Sequence, residues 1–474
     1  VEVINREKSF VKNTIIYAIG NLLSKCLSFF LLPFYTAYFT VSQYGYNDFI
    51  TTTVALVIPI VTFDICDGMY RFLLDSDSDE DRHKIITNTL IILILNLFVS
   101  NFIYIIFIHF VKIQFGVSIL IMTDISVIYS IWSQIARGYK KNVEYSISGV
   151  LVTVIMLVLN IVLVLFLNLR VEALILATLV SNFIVLIYLE YKLRVLSSVK
   201  IRLKDTILIK KLINYSCPLI ANLISWWVMN VSDRFILKYY MGLNANGIYA
   251  IANKFPSMFV MFSSIFSLAW QESAITEYGS KDRDKFYTKM FNTYMIFGFT
   301  ACIVLIAFTK VIMMFMVKKS FGVAWTYVPF LYLGALFSAF SSFYGVGYQS
   351  SKKTKGAFTT SVLGAIFNIV FNFLMVPKLG IQAASLSTML AFLIMWAARI
   401  YETRKYFKID LDKKNLAILS LLTSIFVILY YFNNKYVEIA LMICSIVLFL
   451  SFNKKFVIKF ISLKNRFLVK KLNY

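Results

Sequence analysis

Apolar runs long enough to cross a bilayer as helices recur along this chain from residue 13 to residue 453, IITNTLIILILNLFVSNFIYIIFIHFV (85–111) being one of the plainest. No other feature constrains the fold so tightly. Within hydrocarbon every backbone amide must find its partner inside the segment, so such runs become helices. With 59% hydrophobic residues over 474 positions, the composition excludes a soluble domain of this length. The runs predict an all-α polytopic membrane protein of fourteen helices, among them 13–39, 46–70, 116–137, 212–241 and 247–274. The first run is too long for a signal-peptide core and no small-residue cleavage site follows it, so it is expected to stay as a span. Every connection is short. The longest, VLSSVKIRLKDTILIKK (195–211), is amphipathic and basic.

The formal net charge of +23 raises the question of a nucleic-acid partner. Membrane topology accounts for it better. With the N-terminus inside, the cytoplasmic segments hold 36 Lys and Arg residues and the outer turns hold 8. That bias puts both termini in the cytoplasm and requires no nucleic acid. The tail KKFVIKFISLKNRFLVKK (454–471) is expected to lie on the anionic lipids of the inner leaflet. The acidic run DSDSDEDRHK (75–84) reads as a solvated loop.

The chain also repeats itself. LPFYTAYFTVSQYGYNDF (32–49) resembles RFILKYYMGLNANGIYAI (234–251) at an offset of 202 residues, with Tyr38 meeting Tyr240 and Gly45 meeting Gly247. RGYKKN (137–142) resembles VGYQSSKK (346–353), and NIVLVL (160–165) resembles NIVFNF (368–373). Six helices separate equivalent positions, an even number, so both copies cross in the same direction. This is a parallel repeat about an axis along the membrane normal. It divides the chain into a six-helix lobe (1–194), the basic linker (195–211), a second six-helix lobe (212–403), and two additional helices with a basic tail (404–474).

Of the 47 basic residues, three fall inside expected spans: Lys25, Arg234 and Lys254. A charge there is costly and usually functional. At the repeat offset Arg234 matches Leu32, Lys254 matches Thr52 and Lys25 matches Trp227. One lobe therefore builds these positions without charge, and the fold does not demand it. The three cations are the candidate substrate-binding residues, suited to a phosphorylated polyanion, with the planar fork of Arg234 the best phosphate ligand among them. The competing reading is an internal ion-pair network. Asp233, Asp64, Asp67 and Asp124 are the candidates for balancing charge or for holding a coupling cation, Na+ or H+. Trp226 and Trp227 are candidate sugar contacts, with helix packing as the alternative. Pro33, Pro218 and Pro256 fall inside helices and read as bends or hinges.

The five cysteines (Cys26, Cys66, Cys217, Cys302, Cys444) lie in apolar runs without paired spacing and read as small core residues. His83 and His109 form no metal-ligand pattern, and no metal is expected. No GxxxxGK[ST] phosphate loop occurs, so the chain is not expected to hydrolyse ATP.

SDRFILKYYMGLNANGIYAIANKF and its first copy, LPFYTAYFTVSQYGYNDF, resemble the lobe-start signature of bacterial polysaccharide-biosynthesis flippases of the O-antigen and capsule repeat-unit type. These belong to the multidrug/oligosaccharidyl-lipid/polysaccharide exporter superfamily. The resemblance spans about residues 9 to 400. It implies two six-helix lobes around a cationic cavity, and a transporter rather than an enzyme. The implied activity moves polyprenyl-diphosphate-linked oligosaccharides, on an undecaprenyl-type carrier, from the inner to the outer leaflet by alternating access. The implied place is the bacterial cytoplasmic membrane, as a monomer beside membrane lipids and the glycan polymerase machinery. No cofactor beyond a coupling cation is implied. Two neighbouring readings stay open: a flippase for lipid-linked peptidoglycan precursor, and a cation-coupled multidrug exporter of the same superfamily. The chain departs from the family pattern in having few expected cavity charges beyond these three.

Overall fold

A computed structural model describes residue 23 and residues 26–76, 78–351, 355–432 and 434–454. Lys25, the first twelve residues and all but Lys454 of the basic tail lie outside the described residues. The described chain is helical, without strands. Its main helices are α1 (Leu32–Tyr38), α2 (Val41–Val61), α3 (Ile65–Leu74), α4 (Asp79–Phe110), α5 (Gly116–Gly138), α6 (Asn142–Leu165) and α7 (Val171–Leu193). They continue as α8 (Thr206–Glu277), α9 (Arg283–Met316), α10 (Val328–Ser350), α11 (Lys355–Leu379), α12 (Ile381–Thr403), α13 (Lys413–Tyr430) and α14 (Lys435–Phe452).

Eleven described helices are long and apolar enough to span a membrane, and the bent pair α2–α3 makes a twelfth span. At 72 residues α8 would be about 108 Å long if straight, more than three times the hydrocarbon thickness. It divides at Gly242, where φ 79° and ψ −175° leave helical geometry. That single residue is the turn between the seventh and eighth helices, which the sequence spread over residues 242–246. With the apolar segment Cys26–Tyr38 as the described part of the first helix, the count agrees with fourteen. The outer surface suits lipid. Phe98 and Phe102 on α4 are 74% and 62% exposed, and only hydrocarbon solvates such a face without penalty.

The second helix, expected to run unbroken over 46–70, is a correction. It starts at a capping box, with Thr40 Oγ1 accepting from the Gln43 amide and Gln43 Oε1 accepting from the Thr40 amide. It then breaks at residues 62–64 into α2 and α3, bent by 56°. Pro59 removes one backbone donor inside α2. Phe63 and Asp64 take left-handed φ values of 50° and 51°, and the Asp64 amide folds back onto the Pro59 carbonyl at 2.9 Å. Pro33, read as lying inside a helix, instead sits in the first turn of α1, where a proline fits.

The chain forms two compact units, Val1–Ala250 and Ile251–Tyr474, so the boundary falls within α8. In the first unit, Ile86, Val127, Ile131, Ile135 and Leu189 anchor a core between α3, α4, α5 and α7. The linker 195–211 is laced onto α4. The Lys200 amide donates to Thr87 Oγ1, Asn88 bonds both the Leu203 carbonyl and the Asp205 amide, and Lys84 pairs with Asp205 at 2.7 Å. Asp205 then caps α8 by accepting from the Ile207 and Leu208 amides.

In the second unit an aromatic cluster holds α9, α10 and α12 together. Phe291 packs edge-on to Phe340 and Phe343, and Trp396 stacks on Phe337. Trp270, from the end of α8, stacks on Phe343 at 3.9 Å. Arg399, which the charge count assigned to the cytoplasmic side, is buried in α12, donating to the Ser341 carbonyl, Thr360 Oγ1 and Ser361 Oγ. The two additional helices dock on α9, through Lys310–Glu438 at 2.9 Å and Asn453 Nδ2 donating to Thr300 Oγ1.

Candidate functional site

The capping box fixes the rotation of α2, so Val41, Gly45, Asp48 and Thr52 form one stripe at helical spacing. Every member of that stripe meets α8. The Thr52 carbonyl accepts from Trp227 Nε1 at 3.2 Å. Asp48 Oδ2 accepts from Arg234 Nε at 2.6 Å. Nearer the outer end, Gly45 and Gly247 cross in direct backbone contact. A Cβ on Gly45 would sit 2.2 Å from the Leu243 carbonyl, and one on Gly247 would sit 2.0 Å from the Val41 carbonyl. The contact is reciprocal, because at the repeat offset Val41 corresponds to Leu243 and Gly45 to Gly247. A reciprocal contact of this kind is the one a two-fold relation between the two segments produces.

Arg234 is 8% exposed, and its guanidinium is held on two sides. Nε binds Asp48, Nη1 donates to the Asn230 carbonyl at 2.9 Å, and the Tyr249 ring lies 5.7 Å from its carbon. Among the described residues Nη2 makes no hydrogen bond, leaving one edge of the fork for another acceptor. Asp233, its neighbour on α8, does not pair with it. Asp233 is fully buried and accepts from the Tyr249 hydroxyl at 2.5 Å. The partner of Arg234 is Asp48, a residue the sequence reading did not single out. A signal was present. Asp48 matches Ala250 at the repeat offset, the same one-sided charge that singled out Arg234.

Lys254 is half-buried in the second segment of α8. Trp227 spends its ring donor on α2 and packs edge-on to Phe235, the packing alternative for this residue. Trp226 is half-buried one position before it. Asp124 Oδ2 on α5 accepts from Asn101 Nδ2 on α4 at 2.9 Å.

Asp64 and Asp67 belong to a separate place. Asp64 lies sixteen positions after Asp48, a helix length of about 24 Å. They border a cavity of about 360 Å³ at the α2–α3 break, lined also by Ser130, Ser133, Gln134 and Ser146. Among the described residues no three His, Cys, Asp or Glu side chains gather as for a metal ion.

A family model described as polysaccharide biosynthesis protein matches residues 10–271, more than half of the chain. The chain belongs to the polysaccharide biosynthesis protein family. A second model, MatE, matches residues 218–374. An uncharacterized membrane protein of Methanocaldococcus jannaschii is 26% identical over 206 residues, 42% of this chain and 40% of that protein. The chain thus spans about two fifths of the length of the curated relative it matches. Two solved structures share the fold. One is lipid II flippase MurJ in an inward closed conformation, at TM-score 0.71 and 16% identity over 94% of this chain and 100% of that one. The other is an inward-facing multidrug resistance MATE family transporter of the MOP superfamily, at 0.67 and 12% over 82% and 98%. At these identities the two structures show a shared fold. The family match covers Asp48, Asp233, Arg234 and Lys254 together.

Proposed function

We propose that the chain flips polyprenyl-diphosphate-linked oligosaccharides from the inner to the outer leaflet of the cytoplasmic membrane by alternating access, for surface polysaccharide assembly. The observation that carries this reading is a buried arginine with one free donor edge, inside the segment matched as a polysaccharide biosynthesis protein. Asp48 stands where a phosphate oxygen would go on Arg234. The diphosphate first engages Nη2 and then exchanges with Asp48, so the guanidinium is never left without an anion. Lys25 and Lys254 are the proposed further phosphate ligands, and Trp226 is the proposed sugar contact. The driving force is a cation gradient or the membrane potential.

The test is transbilayer movement of a fluorescent polyprenyl-diphosphate oligosaccharide in proteoliposomes, with lipid-linked peptidoglycan precursor and a cationic dye as parallel cargoes. Arg234→Ala should lower oligosaccharide transport at least tenfold in folded protein. Faster movement of the precursor or the dye by wild type would overturn the substrate assignment in favour of the neighbouring reading.

A further inference from the structure

We propose that the cavity at the α2–α3 break binds one monovalent alkali cation, with Asp64 as its charged ligand. The first observation is the state of Asp64. It occupies the position before α3 where an aspartate usually caps the helix, yet its side chain makes no cap. It is 6% exposed, and its Oδ2 is buried with no hydrogen-bond partner among the described residues. A buried carboxylate without a donor is unfavourable by several kcal/mol as an order of magnitude. The left-handed backbone at Phe63 and Asp64 holds it towards the cavity it borders.

The second observation is the charge count around it. Asp67, on the exposed edge of the same cavity, accepts from Gln134 Nε2 at 3.4 Å, and Gln134 Oε1 accepts from Arg137 Nη1 at 3.0 Å. The guanidinium of Arg137 lies 4.4 Å from the Tyr70 ring and 5.4 Å from the Tyr145 ring. Arg137 balances Asp67 through that relay, and among the described residues lining the cavity no cation is left for Asp64. Among the described residues the other titratable groups that line the cavity are Cys66 on α3, Tyr129 on α5 and Tyr145 on α6, none of them a basic residue. One uncompensated charge calls for a monovalent ion.

The third observation is the lining. Thr62, Ser130, Ser133 and Ser146 line the cavity with the carboxylates, and among the described residues the buried Ser146 Oγ has no partner. Oxygen-only ligands suit a hard cation. The C-terminal end of α2, with its partial negative charge, points at the same place, as broken transmembrane helices do at cation sites. A proton on Asp64 would neutralise the charge but would satisfy neither Ser146 nor the volume. At about 360 Å³ the cavity holds the ion with part of its water shell.

This rests on the transporter reading only for its purpose, because the binding test uses no lipid-linked substrate. Thermal unfolding of the purified full-length protein would be followed in a NaCl titration against N-methyl-glucamine chloride at constant ionic strength and pH. Wild type should show a saturable rise in Tm with Na+. Asp64→Asn should unfold at a higher temperature than wild type without Na+ and should not respond to it. Ser146→Ala should shift the titration to higher Na+, and this milder variant carries the test if Asp64→Asn does not fold. Asp124→Asn should respond like wild type. No Na+ response in wild type means the cavity holds water alone and overturns the proposal. A response kept in Asp64→Asn places the ion elsewhere, and a Tm that follows pH but not Na+ makes the site a proton site. Either result also overturns it.

Discussion

Arg234 and Asp48 are 186 positions apart in sequence and 2.6 Å apart in space. Removing one partner of a buried pair leaves the other charge uncompensated, at a cost of about 3–5 kcal/mol, whereas removing both leaves none. Asp48→Asn and Arg234→Gln should each lower Tm markedly, and the double variant should recover much of the loss. A double-mutant cycle read by thermal unfolding checks this, and strict additivity would mean the pair is not coupled. The cation was legible because a charge in an apolar run stands out locally. Its partner was not, because Asp48 sits just past a polar turn, where an aspartate attracts no notice. Only the helical stripe Val41–Gly45–Asp48–Thr52, set against α8, gives it a meaning.

Among the elements, long helices were legible to within a few residues, since apolar length alone sets them. The breaks were less so. Pro59 was visible, yet a proline by itself does not forecast two left-handed residues four and five positions further on. The linker 195–211 read as a basic amphipathic segment and proves to be a strap tied to α4. Its polar bonds to Thr87, Asn88 and Lys84 depend on tertiary placement that no periodicity reveals. The strap titrates. The hydrogen bond from Lys84, and after it those from the Leu208 and Ile207 amides, hold the Asp205 carboxyl below its usual value. A depressed carboxyl lends its stability above the unfolded pKa and loses it as pH falls through the lower folded value. Hydrogen exchange at Ile207 and Leu208, corrected for intrinsic rates, should therefore stay slow down to about pH 4 and quicken below it. Asp205→Asn should quicken it at every pH.

Across the whole molecule, the internal repeat was the most productive reading. It predicted two copies crossing the same way, and the reciprocal contact of Gly45 with Leu243 and of Gly247 with Val41 is its physical counterpart. The contact tolerates no side chain. Gly45→Ala and Gly247→Ala each push a methyl group into a backbone carbonyl and should destabilise by about 1–3 kcal/mol or more. Gly149→Ala and Gly279→Ala, with nothing within 4 Å, should be neutral within about 0.5 kcal/mol. Folded yield and Tm of the four variants decide the matter. Weak similarity could reveal the duplication but not which glycines touch, since that depends on how α2 and α8 cross.

A pair of identical subunits carries every residue twice, so a charge placed on one face of the axis reappears on the other. Joining the copies in one chain lifts that restriction. Here position 234 is arginine while its counterpart Leu32 is apolar, and position 48 is aspartate while its counterpart is Ala250. The backbone keeps its mirror-like handshake at the two glycines, and the chemistry beside it is one-sided, an arrangement open to a single polypeptide and closed to any homodimer.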